Sequence, residues 1–419
     1  MEKNIHIRDT FRTAIQALVT HKGRSFLTVL GIVIGIMAIM IVMALGSSAT
    51  ELIVKEVESF GPENVFINPG KPSSGGFSFS SGASSLLLKS LTEKDVSDLG
   101  NKNFVPDAVA VNPSVQTSVT VSYQSEVKTT SVLGTSAQAF SIYNISAQKG
   151  RSFDQGEVDD KASVAVIGKN VAKDLFGLQN PVGEKIKIKN AKFTVIGVFS
   201  SLGSSMFGID DLVITPYTTL QQNVLGTRYF QEIAVQARDA EAVPNMVRDI
   251  KTLLRDNHSI SDPLKDNFIV TTQADIIDTV NNILGAVTAF LAFVAAMSLV
   301  VGGIGVMNIM FVSVTERTRE IGLRKALGAT RKDILFQFLL EAVMLTSFGG
   351  LLGIAGGALF TYLGVLIASL ATGLSFPFYF SVMGSVLGIV VSCGAGIAFG
   401  IFPARQAAEK SPIEALRYE

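Results

Sequence analysis

Two pairs of neighbouring carboxylates, Asp159-Asp160 and Asp210-Asp211, come nearest in this 419-residue sequence to a general acid–base dyad. Adjacent side chains point to different faces of a strand or helix, so neither pair presents two carboxyls to one substrate. Solvated loop acids are the expected reading. The 3 histidines (His6, His21, His258) lie far apart with no His-x-x-x-His spacing, and the single cysteine, Cys393, sits in an apolar run. One chain therefore offers neither a disulfide framework nor a cysteine-based metal site, and no metal site is expected. No Gly-x-x-x-x-Gly-Lys-Ser/Thr occurs in these residues, so no phosphate-cradling loop is expected. Lys+Arg and Asp+Glu number 35 each, and the zero net charge gives no reason to expect nucleic acid as a partner. No nucleophile–base constellation is visible, which disfavours an enzyme.

The charged residues that do cluster make a surface rather than a reaction centre. From Thr315 to Asp333 the chain carries Glu316, Arg317, Arg319, Glu320, Arg324 and Lys325 at spacings that fit a polar helix. Ile321, Ala326 and Leu327 form an expected apolar patch on it, with Gly322 between. Gly328 is expected to end the helix as a C-terminal cap, and Thr330 with Asp333 to cap the next one. Mixed signs around an apolar patch suit a protein partner. The alternative is a basic belt that only anchors helix ends at the lipid headgroups. Ser411-Pro412-Ile413-Glu414 repeats the capping device and predicts a short helix over 413–417.

Such a corner needs long helices to hold it, and hydropathy supplies them. The mean hydropathy of +0.41, with 17% charged residues, is too apolar for an ordinary soluble enzyme. Phe26 to Leu45 is free of charge and long enough to span a bilayer. It exceeds a usual signal-peptide core, so a span over 25–46 is expected rather than a cleaved leader. A second uncharged run, Thr279 to Thr315, exceeds what one crossing needs and predicts a stalk continuing into a span over 279–315. Ala342 to Ala404 carries no charge and divides near Gly373 and Pro377. It predicts spans over 334–370 and 381–403 with a short outer loop at 371–380. Basic residues flank the first span (Lys3, Arg8, Arg12, Lys22, Arg24) and fill the 316–333 loop and the 404–419 tail. The positive-inside rule places all three in the cytoplasm, and residues 47–278 outside. Ile7, Phe11, Ile15 and Leu18 share one face, so residues 1–24 predict an interfacial amphipathic helix against membrane lipid. No Asp, Glu, Lys, Arg or His lies inside these charge-free runs, which disfavours an ion-coupled carrier.

The outside segment predicts an α/β domain with an inserted β-rich subdomain at about 150–225. Strands are expected at 64–67, 109–130, 163–168 and 232–235. Lys185–Lys189 and Lys192–Ile196 alternate as a hairpin. Thr92 with Asp95 opens a short helix, and Gly70 to Ser85 reads as a mobile Gly/Ser loop. Glu232–Val235, a helix over 240–257 and Phe268–Thr271 make a β-α-β unit. The fold class is thus an α-helical membrane protein with four transmembrane helices plus a large α/β extracytoplasmic domain.

At Val301-Gly-Gly-Ile-Gly-Val-Met-Asn-Ile-Met310 and Val314 to Ala329 the sequence closely resembles the MacB/FtsX-type permeases of mechanotransmitting ABC transporters. Ser25 to Gly35 is similar to that family's first span, and Pro403–Ala408 with Ser411–Tyr418 to its tail. Lys149–Phe153, Leu175-Phe-Gly177 and Pro181-Val-Gly183 fit its MacB-like branch. The resemblance implies a plasma-membrane homodimer, with a cytoplasmic ABC ATPase docked on the loop at Glu316, Arg317, Arg319, Glu320, Gly322, Arg324, Lys325, Ala326, Leu327 and Gly328. ATP and Mg would be used by that partner, and no cofactor would be held by this chain. The ATPase is expected on a separate polypeptide, and a drug, peptide or lipoprotein-like substrate would be extruded from the outer face. An adaptor protein outside is a further implied partner. An FtsX-like signalling scaffold and a lipoprotein-release permease are the alternatives. Of the small-x-x-x-small pairs, Gly31/Gly35 is assigned to the dimer interface by family analogy, with packing inside the chain as the default for the others.

Overall fold

The structure is a computed structural model describing residues 22–58, 61–71, 90–143, 145–199, 209–372 and 378–417. The expected interfacial helix at 1–24 (all but its last residues), most of the Gly/Ser loop and the turn at Gly373 and Pro377 lie outside the described residues. The chain divides into two units, Ile53–Asn281 on one hand and Met1–Leu52 with Asn282–Glu419 on the other.

Helix α1 (Lys22–Glu58) leads into the first unit. Its elements are β1 (Asn64–Pro69), α2 (Glu93–Leu99), β2 (Ala108–Tyr123), β3 (Glu126–Thr135), β4 (Ala147–Gly150), β5 (Val164–Gly168) and α3 (Lys169–Phe176). There follow β6 (Lys185–Ile188), β7 (Ala191–Phe199), β8 (Leu212–Pro216), β9 (Glu232–Ala237), α4 (Val243–Asn257) and β10 (Phe268–Thr272). The strands join in the order β10-β1-β9-β2-β3-β8-β5-β7-β4, with β6 bridging β2 and β7. β1 lies antiparallel between β9 and β10, so those two strands run parallel and α4 is their crossover. Met246, Ile250, Leu253 and Leu254 recur at helical spacing on α4 and are buried. β6 and β7 pair as the alternating pattern predicts, turning at Lys189, whose φ is positive.

The β-rich lobe begins earlier than the expected residue 150. β2 pairs with β9 over Ala108–Ser114, then with β3 over Val115–Tyr123, so one strand serves both lobes. Side chains take over where a strand partner stops. The Val111 N–H donates to Gln138 Oε1 at 2.8 Å, and the Gln116 N–H to Gln231 Oε1 at 2.7 Å. Beside the crossover, buried Asn112 accepts through Oδ1 from Thr135 Oγ1 (2.6 Å), Ser136 N (3.0 Å) and Ser136 Oγ (2.8 Å). Buried backbone and amide groups left without partners would cost more than these contacts take to build.

The second unit holds most of α5 (Gln273–Glu316), then α6 (Thr318–Ala326), α7 (Arg331–Thr372), α8 (Val382–Glu409) and α9 (Pro412–Arg417). Among the described residues four helices are long and apolar enough to cross a membrane: Val29–Lys55, Gln273–Glu316, Arg331–Ala371 and Val382–Glu409. Lipid tails do not drive apolar helices together, so close backbone packing must. Ile32, Ile36 and Met40 of α1 sit over Gly349, Gly353 and Gly357 of α7, a parallel register four residues apart on both helices. α7 and α8 run antiparallel, with Gly350 against Ser392, Gly396 against Thr346 and Gly400 against Ala342.

Gly31 and Gly35, expected at the dimer interface, also pack within the chain. A Cβ on Gly31 would lie 2.9 Å from the Gly302 Cα of α5, and one on Gly35 3.4 Å from the Leu299 Cα. Both glycines are used inside the chain, where they let α1 and α5 approach backbone to backbone.

Candidate functional site

The expected helix is present as α6, which follows α5 after a one-residue break at Arg317. Its end is a Schellman motif: Gly328 N–H donates to Lys325 O (3.1 Å), Ala329 N–H to Arg324 O (3.0 Å), and Gly328 has φ +99°. The next helix opens with a reciprocal cap, Thr330 N–H to Asp333 Oδ2 (2.8 Å) and Asp333 N–H to Thr330 Oγ1 (3.3 Å). Two helix signals placed back to back thus fix the corner.

Helical phase sorts the candidate residues into two sets. Glu316, Arg319, Glu320, Ala326, Leu327 and Gly328 are exposed, and Leu323, which sequence reasoning missed, joins them at 54% exposed. Positions 316, 319, 320, 323, 326 and 327 fall on one helix face. Thr318, Ile321 and Gly322 face the bundle. Ile321, expected in the surface patch, is instead buried in a cluster with Ile334, Phe338, Ala404 and Ala407. α6 also packs against α9, on which Ile413 is 73% exposed.

Arg317, Arg324 and Lys325 are half-buried and occupied within the chain. Arg317 Nη1 donates to the buried Glu341 carboxylate at 3.3 Å, and Arg324 Nη1 to Gln337 Oε1 at 2.6 Å, with a further ion pair to Glu320. Arg317 pairs with Glu341 and the later Arg324 with the earlier Gln337, the reversed order of an antiparallel helix pair. Lys325 Nζ donates to Ala408 O and to Lys410 O, each at 2.6 Å. Burial of its ammonium, with Arg331 nearby, lowers the Lys325 pKa below the ordinary lysine value. Of these basic residues only Lys325 shares the face of Thr318, Ile321 and Gly322, opposite the exposed stripe, while Arg317 and Arg324 lie on the flank between the two.

The other unit offers no comparable arrangement. Asp211 accepts from Lys128 Nζ (2.7 Å) and Asn170 (3.1 Å), and Asp159 from Gln155 (2.9 Å), so the carboxylate pairs make structural contacts. Its most buried ionisable network joins α2 to the end of α4. Asp95 accepts from Thr92 N and Oγ1 (each 2.8 Å) and Asn257 Nδ2 (3.0 Å), and faces His258 Nε2 at 3.3 Å. His258 Nδ1 lies 2.6 Å from Asn267 Oδ1. Burial acts to raise the Asp95 carboxyl, but the bonds from His258, Thr92 and Asn257 prevail and hold its pKa at about 2. The same contact with Asp95 raises His258 against its burial and the nearby Lys94. Clefts of about 320 and 770 Å³ flank Tyr217, whose hydroxyl donates to Glu93 at 2.9 Å. Among the described residues no group of three or more His, Cys, Asp or Glu is placed to hold a metal ion.

Comparison with known proteins agrees with this division. Residues 25–253 match the family described as MacB-like periplasmic core domain, and residues 292–412 the FtsX-like permease C-terminal family. The macrolide export ATP-binding/permease protein MacB of Shewanella sp. (strain W3-18-1) is 39% identical over 415 residues, covering 98% of this chain and 61% of the relative. That of Neisseria meningitidis serogroup B (strain ATCC BAA-335 / MC58) is 35% identical over 410 residues, covering 97% and 60%. The chain thus spans about three fifths of the length of these relatives. Among solved structures, the periplasmic region of MacB from Actinobacillus actinomycetemcomitans is similar at 21% identity and a TM-score of 0.46, over 54% of this chain and 96% of that one. The protein is a membrane-spanning member of the MacB/FtsX-like family of ABC-transporter permeases.

Proposed function

We propose that this chain is the permease of an ATP-driven exporter and that the exposed stripe of α6 is where the cytoplasmic ATPase docks. The observation that carries this reading is the stripe itself: Glu316, Arg319, Glu320, Leu323 and Leu327 on one face of a helix whose other face is pinned to the bundle. Charges of both signs around two exposed leucines are suited to a protein surface, since lipid headgroups would draw a basic face. The basic residues of the α6 corner and the tail put this face in the cytoplasm by the positive-inside rule, and the α/β domain outside. These 419 residues carry no phosphate loop, so ATP and Mg belong to a domain outside them. Binding there would move α6, and the long helices α1 and α5 would pass that movement to the outer domain, extruding a substrate from the outer face, with an adaptor as a further partner there. Two copies would work together, and α5 offers a surface for pairing. Its exposed Ile283, Val287, Phe290, Val294, Met297, Val301 and Ile304 alternate by four and three, the spacing of a helix–helix seam.

The test uses this chain co-expressed with its candidate ATPase and purified through a tag on this chain. Arg319→Glu and Leu323→Asp, both on the exposed face, are expected to abolish recovery of the ATPase while leaving membrane insertion unchanged. Undiminished recovery with both changes combined overturns the docking assignment. A wild-type chain that recovers no ATPase under any nucleotide condition points instead to a signalling scaffold.

A further inference from the structure

Helix α8 ends without a cap of its own. Its last turn has no basic residue and contains Glu409, and the cap residue Lys410 has φ −54° and ψ 132°, outside the left-handed region that closes many helices. The final carbonyls of such a helix are orphaned, and the negative end of its dipole lies beside an acidic side chain. Arg405 meets Glu409 within the helix at 3.9 Å, but the carbonyls receive their cation from another helix: Lys325 of α6 reaches two of this end, Ala408 O and Lys410 O, at 2.6 Å each. Lys410 O belongs to the junction immediately before α9, so the same ammonium holds the end of α8 and the root of the tail helix. The apolar surroundings are small and buried, with Ala404, Ala407, Ala408 and Ala415 almost inaccessible. Ile321 of α6 shares a buried cluster with Ala404 and Ala407 of α8, an apolar contact to which Lys325 adds a directional tie at the helix end.

We propose that Lys325 is a positioning residue, a cap supplied in trans that fastens the fourth membrane helix and the tail to the coupling helix so that all three move as one body. Arg317 and Arg324 tie α6 to α7 through Glu341 and Gln337. Lys325 faces the other way and is the link to α8. A push on the exposed face of α6 then reaches the fourth span directly rather than only the spans on either side of the corner. Partial burial of the ammonium fits this role, since three donors withdrawn from water need acceptors, and two carbonyls supply most of what it lost. The inference rests on α6 being the docking element, but the fastening itself is a property of this chain alone.

Two readouts separate the two ideas. In the first, spin labels are placed at Leu323→Cys on α6 and Ile413→Cys on α9, in a Cys393→Ser background of the full chain in nanodiscs. The inter-label distance distribution is expected to be narrow, to broaden in Lys325→Met with the detached tail rising about tenfold on loss of charge-assisted hydrogen bonds, and to narrow again in Lys325→Arg. An unchanged distribution in Lys325→Met overturns the clasp. If Lys325→Met does not accumulate, Lys325→Gln, which keeps one amide donor, is read by the same criterion. The second readout uses unlabelled chain with the candidate ATPase. Lys325→Met is expected to bind it within about twofold of wild type, a difference well under one hydrogen bond, yet to lose transport per ATP hydrolysed, with rescue by Lys325→Arg. Loss of ATPase binding equal to that of Arg319→Glu overturns the positioning role and makes Lys325 a docking residue. Absence of any wild-type complex removes the docking reading and leaves the labelled-chain measurement to decide the clasp.

Discussion

Replacing Asp95 by Asn tests the energetics of the outer domain at its most buried carboxylate. The side chain is 1% exposed and receives two bonds from Thr92 and one from Asn257, with the ring of His258 against it. A carboxyl whose pKa falls from 3.8 to about 2 on folding contributes about 2.5 kcal/mol at neutral pH, since each pH unit is worth about 1.4 kcal/mol. Loss of the reciprocal cap on α2, typically about 1 kcal/mol, lies inside that figure rather than beyond it. Asn keeps the shape but loses the charge, and its NH₂ meets either the Thr92 N–H or Asn257. Hydrogen–deuterium exchange on the full chain in nanodiscs should show α2 and the last turn of α4 opening about 60-fold more often, with β5 and β7 unaffected. The pH dependence has a definite sign. Asp95 is depressed, so its contribution stands above pH 3.8 and disappears as pH falls toward 2. His258 is raised, so its share is complete below pH 6.5 and disappears as pH rises through its folded value. An acceleration below about threefold, or an equal one in β5 and β7, would refute the claim that this network is a local tie.

Three further outcomes follow from the bundle. Gly31→Leu should cost about 1–3 kcal/mol by overpacking against Gly302 and lower the amount of folded chain in the membrane, whereas Gly364→Leu, with nothing within 4 Å of its Cβ, should accumulate normally on a fluorescence-detected size-exclusion profile. Glu341→Ala leaves the half-buried Arg317 without its carboxylate and should cost about 3 kcal/mol in a thermal unfolding assay, with Arg317→Met combined with Glu341→Leu recovering much of it. Single cysteines at Phe290, Met297 and Val301 in a Cys393→Ser background should crosslink pairs of chains, and one at Val306, which is 0% exposed, should not. Equal crosslinking at all four would remove the α5 seam.

What could be read from the residues followed from rules that act locally. Charge-free runs gave the four helices, and Gly328 with Thr330 and Asp333 gave the corner, because caps and hydropathy depend on near neighbours. The β-α-β unit and the 185–196 hairpin were legible for the same reason. The roles of Arg324 and Lys325 were not, because a basic residue at a helix end reads identically whether it faces solvent or the carbonyls of a helix 83 residues away. Leu323 was missed and Ile321 misplaced for a related reason: the helix period groups positions but does not say which group meets the bundle. The Gly31/Gly35 pair shows the same limit, since a small-residue face accepts a neighbour from its own chain or another equally well. The early start of the β-rich lobe escaped because 109–130 reads as one run of Val, Thr and Ser, and nothing in that content marks the change of partner after Ser114 or the turn at Gln124 between β2 and β3.

That strand also sets where this protein can change length. In β2 the buried positions before the crossover are even-numbered, Ala108 and Asn112, while after it they are odd, Val115 and Val121, with all four residues from Asn112 to Val115 enclosed. A single inserted or deleted residue within 108–123 would turn one lobe's face of the strand inside out while leaving the other in phase. Gln138 and Gln231 fix the two halves separately, and the register shift between Ala108 and Ala110 sits at the strand's start, ahead of both contacts. Evolutionary length variation should therefore avoid these sixteen positions and collect in connections that belong to one lobe only, so that a family alignment would find its most reliable anchor in a stretch whose composition is unremarked.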